Sequence, residues 1–364
     1  VPTVADLFYE VDETLTATLS VPVNATILDG VATGTIINDD VPPTITIDSV
    51  SVVEGNAGLT AAVLTVTLSQ PAGVPVSVGF DTANGTATLA DNDYQAVVDQ
   101  TLTIAPGLTT GTITTQVVGD LNFETDETYS VVLSTPENGT LGAPSVGVVT
   151  ILNDDVQPTV TIAGPAAPTN EGTTDDTYRT FTFTLSAESF LPVTVNYNTV
   201  DGTVVDFQAL AGDNDYVAQT STVVFAPGQT VATIQVRVLA DNKYENDEDY
   251  SVLISGATNA TVGLADEAFD TIVNDDAIPT VTLMADLSVI ENVTPVYVTA
   301  TLSNPSGFPT IIDLTYTDGP AVPPSLFAAN NPADYAPVDV TLTFPAGVSS
   351  IVVANNGLTG ATVV

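Results

Sequence analysis

The chain has 364 residues, 44 of them Asp or Glu and only 3 Lys or Arg, for a formal net charge of −41, and it has no His, Cys or Trp. That balance excludes a nucleic-acid partner, which needs clustered Lys and Arg; without His and Cys there is no catalytic triad, zinc site or disulfide. No run of about 18 apolar residues exists, because Thr or Ser interrupts each one, as in Ala62 to Ser69, so no membrane insertion is expected.

In chain order, residues 1–40 carry Asp6, Glu10, Asp12 and Glu13 and close on Asn38-Asp39-Asp40. The next unit, 41–155, alternates apolar residues with Thr or Ser at period 2 over Thr44 to Ile47, Leu64 to Leu68, Val76 to Phe80, Thr101 to Ile104, Thr112 to Val118, Ser130 to Leu133 and Val146 to Leu152. Gly, Pro, Asn and Asp separate these runs, and no segment has a helical apolar period. The reading is all-β, with about seven strands per unit, as in an immunoglobulin-like sandwich. The same acidic phrase returns as Asp120, Glu124, Asp126 and Glu127 before Asn153-Asp154-Asp155. It returns again in 156–276 as Asp241, Glu245, Asp247 and Glu248 before Asn274-Asp275-Asp276. Such periodicity marks a tandem array, so the carboxylates form a series of sites.

The joints are short and carry proline, at Pro42-Pro43, Pro158 and Pro279, which predicts a semi-rigid, rod-like series of sandwiches. Residues 1–40 match only the last part of a unit and 277–364 only the first part. The chain begins at Val1 without a charged and apolar leader, as a processed chain or a fragment of a longer array would. The sharper expectation is that the C-terminal part of one copy completes the N-terminal part of the next, head to tail.

Hard cations such as Ca²⁺ take six to eight oxygen ligands and tolerate irregular geometry. The second unit offers carboxylates from four places: Glu54 after its first strand, Asp93 before Tyr94, the Asp120 to Glu127 loop, and Asp154-Asp155. In a sandwich these converge only at one end. More than half of the acids recur in register, and a surface merely made acidic for salt would scatter them. Paired carboxylates also suit glycoside hydrolysis, yet here the pairs repeat in every unit while an enzyme needs one cleft, so the chain reads as no enzyme.

The ordered set Glu54-Gly55, Asn84-Gly85-Thr86-Ala87, Asp93-Tyr94, Pro106-Gly107, Asp120 with Glu124 to Glu127, and Asn153-Asp154-Asp155 resembles the Calx-beta family, the calcium-binding sandwich of sodium/calcium exchangers and bacterial surface proteins. It repeats as Glu171-Gly172, Asp201-Gly202-Thr203, Asp215-Tyr216, Pro227-Gly228, Asp241 with Glu245 to Glu248, and Asn274-Asp275-Asp276. The resemblance implies calcium ligands at Glu54, Asp93, Asp120, Glu124, Glu127, Asp154 and Asp155, and at Glu171, Asp215, Asp241, Glu245, Glu248, Asp275 and Asp276. Asp6, Glu10, Glu13, Asp39 and Asp40 in the first partial unit, and Glu291 and Asp334 in the last, belong to the same set. Asp126 and Asp247 are left as supports. Gly119 and Ala240 stand where calcium-rich members add an acid, and Asn153 and Asn274 open a triplet that can be all Asp, which implies fewer ions per unit.

Tyr94, Tyr216 and Tyr335 read as buried strand residues, and Asn24, Asn138 and Asn259 as turn residues that also fit the N-glycosylation pattern. The expectation is a calcium-stiffened extracellular or cell-surface structural segment of a filament, surface layer or adhesin stalk. The alternative is a calcium-dependent ligand- or glycan-binding module.

Overall fold

The computed structural model describes residues 2–203, 209–210, 214–284, 296–315 and 339–355, which are strands and loops with no helix. An antiparallel hairpin comes first, from β1 (Glu13–Thr18) and β2 (Val31–Ile36). A sandwich follows, built from β3 (Thr44–Ile47), β4 (Val50–Val53), β5 (Gly58–Leu68), β6 (Val76–Asn84), β7 (Gln100–Ile104), β8 (Thr110–Gly119), β9 (Glu127–Glu137), β10 (Thr140–Leu141) and β11 (Val146–Leu152). Its sheets run β10-β3-β5-β8 and β4-β11-β9-β6-β7.

The structure adds two short strands, β4 and β10, to the seven legible in the sequence. Asp48 Oδ1 accepts the Thr65 N–H at 2.6 Å and the Ser49 hydroxyl accepts the Val148 N–H at 3.0 Å. Those bonds take the place of strand pairing, so the chain leaves one sheet after β3 and enters the other as β4. β10 and β11 divide between the sheets in the same way.

The second sandwich repeats the plan with β12 (Thr159–Ala163), β13 (Thr169–Asn170), β14 (Thr177–Leu185), β15 (Val193–Asp201), β16 (Thr220–Phe225), β17 (Val231–Val238), β18 (Glu248–Thr258), β19 (Thr261–Val262) and β20 (Glu267–Val273). Its sheets are β17-β14-β12-β19 and β13-β20-β18-β15-β16. Beyond it, β21 (Val281–Leu283), β22 (Val296–Leu302) and β25 (Ser350–Asn355) form one sheet, and β23 (Thr310–Leu314) pairs with β24 (Val340–Phe344).

Period-2 alternation builds the cores. Along β5, Ala62, Leu64, Val66 and Leu68 point inward and are buried while Val63 is exposed. Each buried Leu or Val contributes about 1.5–3 kcal/mol. Three separate cores result, around Leu64 and Tyr129, around Phe181 and Tyr250, and around Phe344 and Ile351. The chain divides into two compact units, Val1–Pro158 with Ala187–Leu191, and Thr159–Ser186 with Pro192–Val364.

Asn24, Asn138 and Asn259 adopt φ of 56°, 57° and 61°, a left-handed conformation that Asn tolerates. Asn138 and Asn259 donate their amides to the Pro75 and Pro192 carbonyls at 2.9 Å, so both side chains lock turns.

Candidate metal centre

Strand ends carry the acids to one end of each complete sandwich. Glu54 directly follows β4, where its N–H donates to Leu152 O at 3.0 Å and Gly55 turns the chain at φ 85°. Asp120 follows β8, Glu127 opens β9, and Asp154 and Asp155 lie just past β11. Asp93 lies between β6 and β7, its Oδ2 accepting the Thr88 N–H at 2.5 Å. Glu54, Asp93, Asp155, Glu171 and Asp215 are all buried.

Three carboxylate trios have ligand oxygens within 4.8 Å of one another: Asp93/Glu124/Glu127, Glu171/Asp241/Asp276 and Asp215/Glu245/Glu248. The second sandwich thus has two adjoining trios. In the first, Glu54 faces Asp120 and Asp155, the counterparts of Asp241 and Asp276. Asp154 and Asp275 instead accept the Gly55 N–H at 2.9 Å and the Gly172 N–H at 3.3 Å. Asp6, Glu10, Glu13, Asp39 and Asp40 form no trio among the described residues; their partial unit has no equivalents of Glu54 and Asp93. Glu291 and Asp334 lie outside the described residues.

Like charges this close repel by on the order of 1 kcal/mol or more per pair, and burial adds to the cost of ionisation. Burial first, then Asp120 and Asp155, pushes Glu54 up to about 7. Burial with Asp93 and Glu54 pushes Glu124 up to about 8. Burial with Asp93 raises Glu127 to about 7. In the second sandwich burial and neighbouring acids raise Glu171 and Glu248 to about 8. Asp155 and Asp276 are also raised, mainly by burial.

Asn38, Asn153 and Asn274 clamp these loops, a role that the sequence pattern did not disclose. The Asn153 side-chain oxygen accepts the Glu124 N–H at 3.3 Å, its amide donates to Asp155 O at 3.2 Å, and its own N–H donates to Asp126 Oδ1 at 3.1 Å. Asn274 repeats the three bonds with Glu245, Asp276 and Asp247, and Asn38 repeats them with Glu10, Asp40 and Asp12. An Asp could not donate to the carbonyl. The signal available was the invariable Asn at the head of each Asn-Asp-Asp. Gly119 has an equally local cause: a Cβ there would meet Gly55 O at 2.0 Å, so no acid fits.

Tyr94 and Tyr216 are buried beneath the acids, stacked on Tyr129 and Tyr250 at centroid distances of 4.1 and 4.6 Å. Their hydroxyls donate to Asn84 Oδ1 and to Asp201 Oδ1.

The donors are all hard oxygens, and Asp155 Oδ2 and Asp276 Oδ2 are buried with no hydrogen-bond partner among the described residues. Both features fit a hard cation. The Calx-beta domain model matches residues 38–155, 170–276 and 286–354, most of the chain. The chain belongs to the Calx-beta family.

Among Calx-beta relatives, "Extracellular matrix protein 3" of Lytechinus variegatus is 29% identical over 268 residues, covering 70% of this chain and 8% of that protein. "Sodium/calcium exchanger 1" of Canis lupus familiaris is 28% identical over 193 residues, covering 48% of this chain and 19% of that protein. The chain therefore spans a small part of the length of these curated relatives. The crystal structure of CBD12 from CALX1.2 aligns with 63% of this chain and 99% of its own, at 19% identity and a TM-score of 0.30.

Proposed function

We propose that this Calx-beta array is a calcium-stiffened structural segment of an extracellular or cell-surface protein, with Ca²⁺ held by the carboxylate trios and by Glu54, Asp120 and Asp155. The observation that carries this reading is the position of the ligand glutamates beside the joints. The residue directly before each one makes a parallel backbone bridge to a loop further along: Tyr9 to Ala72, Phe123 to Ser189 and Tyr244 to Ser306. Each bridge lies within one compact unit. A Cβ on Gly73 would come within 2.5 Å of Glu10 Oε1, and one on Gly307 within 2.9 Å of Glu245 Oε1. A cation that immobilises Glu124 or Glu245 therefore restrains the backbone pairing one residue away. The extracellular matrix relatives support the location; besides the sea-urchin protein they include "FRAS1-related extracellular matrix protein 2" of Homo sapiens, 26% identical over 182 residues. Filament, surface-layer and stalk roles share this mechanics.

In this reading the metal supplies charge neutralisation and cross-links the loops, while the Asn clamps hold the ligand backbone in place. Calcium stabilises each site by RT ln(1 + [L]/Kd), about 2.7 kcal/mol at a hundredfold excess over Kd. The test is a calcium titration of the full chain, following melting temperature and maximum dimension by small-angle scattering. The expected result is a rise in melting temperature together with a fixed, extended length. A chain whose melting and dimension ignore calcium overturns the reading. Calcium-driven growth into particles longer than one chain would add head-to-tail self-assembly to it.

A further inference from the structure

The edge strand that leads into the Glu-Gly turn is tied down differently in the two complete sandwiches. In the first, β4 pairs along its whole length, Val50 to Val53, with β11. Glu54 follows, and the Thr60 hydroxyl on β5 donates to the Glu54 carbonyl at 2.9 Å. In the second, counting back from Glu171, Ala167 and Pro168 stand where Val50 and Ser51 do, and proline has no N–H to give a ladder. Only Thr169 and Asn170 remain as β13, paired with Ile272 and Val273. The strand register puts Thr177 at the place of Thr60, yet its buried hydroxyl has no hydrogen-bond partner among the described residues.

Arg179 supplies the missing tie. It holds the β14 position that Ala62 holds on β5, and it is 3% exposed. Its Nε lies 3.3 Å from Asp270 Oδ2 on β20, and its Nη2 donates to the Thr169 carbonyl on β13. One guanidinium therefore spans two neighbouring strands of the opposite sheet. A charge partner for Asp270 alone could have been a lysine; the planar fork of Arg adds a second, fixed donor. Just beyond Thr169, the Asn170 amide donates to Asp275 Oδ2 at 3.2 Å and the Glu171 N–H donates to Val273 O at 3.1 Å. Without the guanidinium, two residues of edge strand would have to hold Glu171 against the repulsion of Asp241 and Asp276, the other members of its trio.

We propose that Arg179 is a positioning residue for calcium. Acting through the Thr169 carbonyl, it fixes the short strand that carries Glu171 to the Glu171/Asp241/Asp276 trio, in place of the Thr60 bond that serves Glu54. This inference rests on the calcium reading above, and its test separates the two.

The experiment is calorimetric titration of the full chain with calcium chloride, for the unaltered protein, R179K, and R179A combined with V236T and D270V. Chemical unfolding, and hydrogen exchange at the Glu171 amide in EDTA, are recorded alongside. R179K keeps a cation beside Asp270 but loses the second arm of the fork. The triple variant installs the first sandwich's residues and leaves no buried charge, so should either variant fail to fold, the other carries the test. Both should weaken one calcium site by about tenfold or more, as loss of an outer support of a metal ligand does, and both should speed exchange at the Glu171 amide. The remaining sites should keep their affinity. A weakened site in a triple variant as stable as the unaltered chain separates positioning from packing. Isotherms that show calcium binding but coincide for all three chains would overturn the role of Arg179 and leave the calcium reading intact. No heat of binding in any of the three would overturn both.

Discussion

The two complete sandwiches have the same strands, the same acidic ends and differently charged interiors. In the first, Ala62, Thr115 and Val149 are fully buried, and the Thr115 and Tyr129 hydroxyls share a hydrogen bond of 2.5 Å. The register of the strands places Arg179, Val236 and Asp270 at the matching positions of the second. There Arg179 Nε lies 3.3 Å from Asp270 Oδ2, with both side chains almost wholly covered, and Tyr250 donates its hydroxyl to the same carboxylate oxygen at 3.2 Å. Arg179 also donates to the Thr169 carbonyl at the edge of the neighbouring sheet. Three positions have changed together, because a buried Tyr hydroxyl needs one acceptor and a buried carboxylate needs a cation. The acidic ends keep the same three Asn hydrogen bonds in both sandwiches.

Four measurements break or sharpen this contrast. The largest effect belongs to the acidic ends, which the two sandwiches share. Burial and neighbouring acids push the carboxyls of Glu54, Glu124, Glu127, Glu171 and Glu248 up to about 7 to 8 in the folded chain, from an ordinary value of 4.5. A raised folded-state value means that the fold holds the proton more tightly, so their contribution is full below about pH 4.5 and is lost as pH climbs through 7 to 8. Melting in EDTA should therefore fall between pH 5 and pH 8. With calcium the trend should reverse, because the ion binds the deprotonated form; parallel slopes with and without calcium would show that these acids do not bind it.

Next comes Asp270→Ala, which strands Arg179 in the second core and should cost about 3–5 kcal/mol. Replacing all three positions with the first sandwich's residues, R179A with V236T and D270V, should recover most of that loss. Chemical unfolding, with hydrogen exchange to report each sandwich separately, distinguishes the two variants. Third, Thr115→Val leaves the buried Tyr129 hydroxyl without this hydrogen-bond partner and should cost about 1–3 kcal/mol, although Val already occupies the matching place in the second sandwich. A neutral result there would mean that Tyr129 finds another partner. The smallest effect is expected from Asn153→Asp, which removes one amide bond to Asp155 O and should cost about 0.5–1.5 kcal/mol in EDTA. Comparison with Asn274→Asp, on the same melting assay, shows whether the clamp carries equal weight in both sandwiches.

Much of this was legible in the residues. The runs Thr44 to Ile47 and Val146 to Leu152 coincide with β3 and β11, because period-2 alternation is imposed locally by the pleat. Val76 to Phe80 opens β6 and Ser130 to Leu133 forms the centre of β9, and both strands extend into polar residues that alternation does not mark. The break between β3 and β4 was not legible, since it depends on Asp48 and Ser49 finding the backbone of Thr65 and Val148, a partner far away in the chain.

The sequence by itself determined the all-β class, the repeat and the family, since strand periodicity and the spacing of Glu-Gly, Asp-Tyr and Asn-Asp-Asp are properties of the chain taken in order. Only the tertiary structure decided how the acids divide into trios, which Asp meets a backbone amide, and where the three cationic side chains go. Arg179 and Lys243 look alike as isolated charges in a chain of acids. One is sealed between two sheets and the other set beside a carboxylate trio, because side-chain partners are fixed by which strands become neighbours, and that pairing joins residues up to about a hundred positions apart.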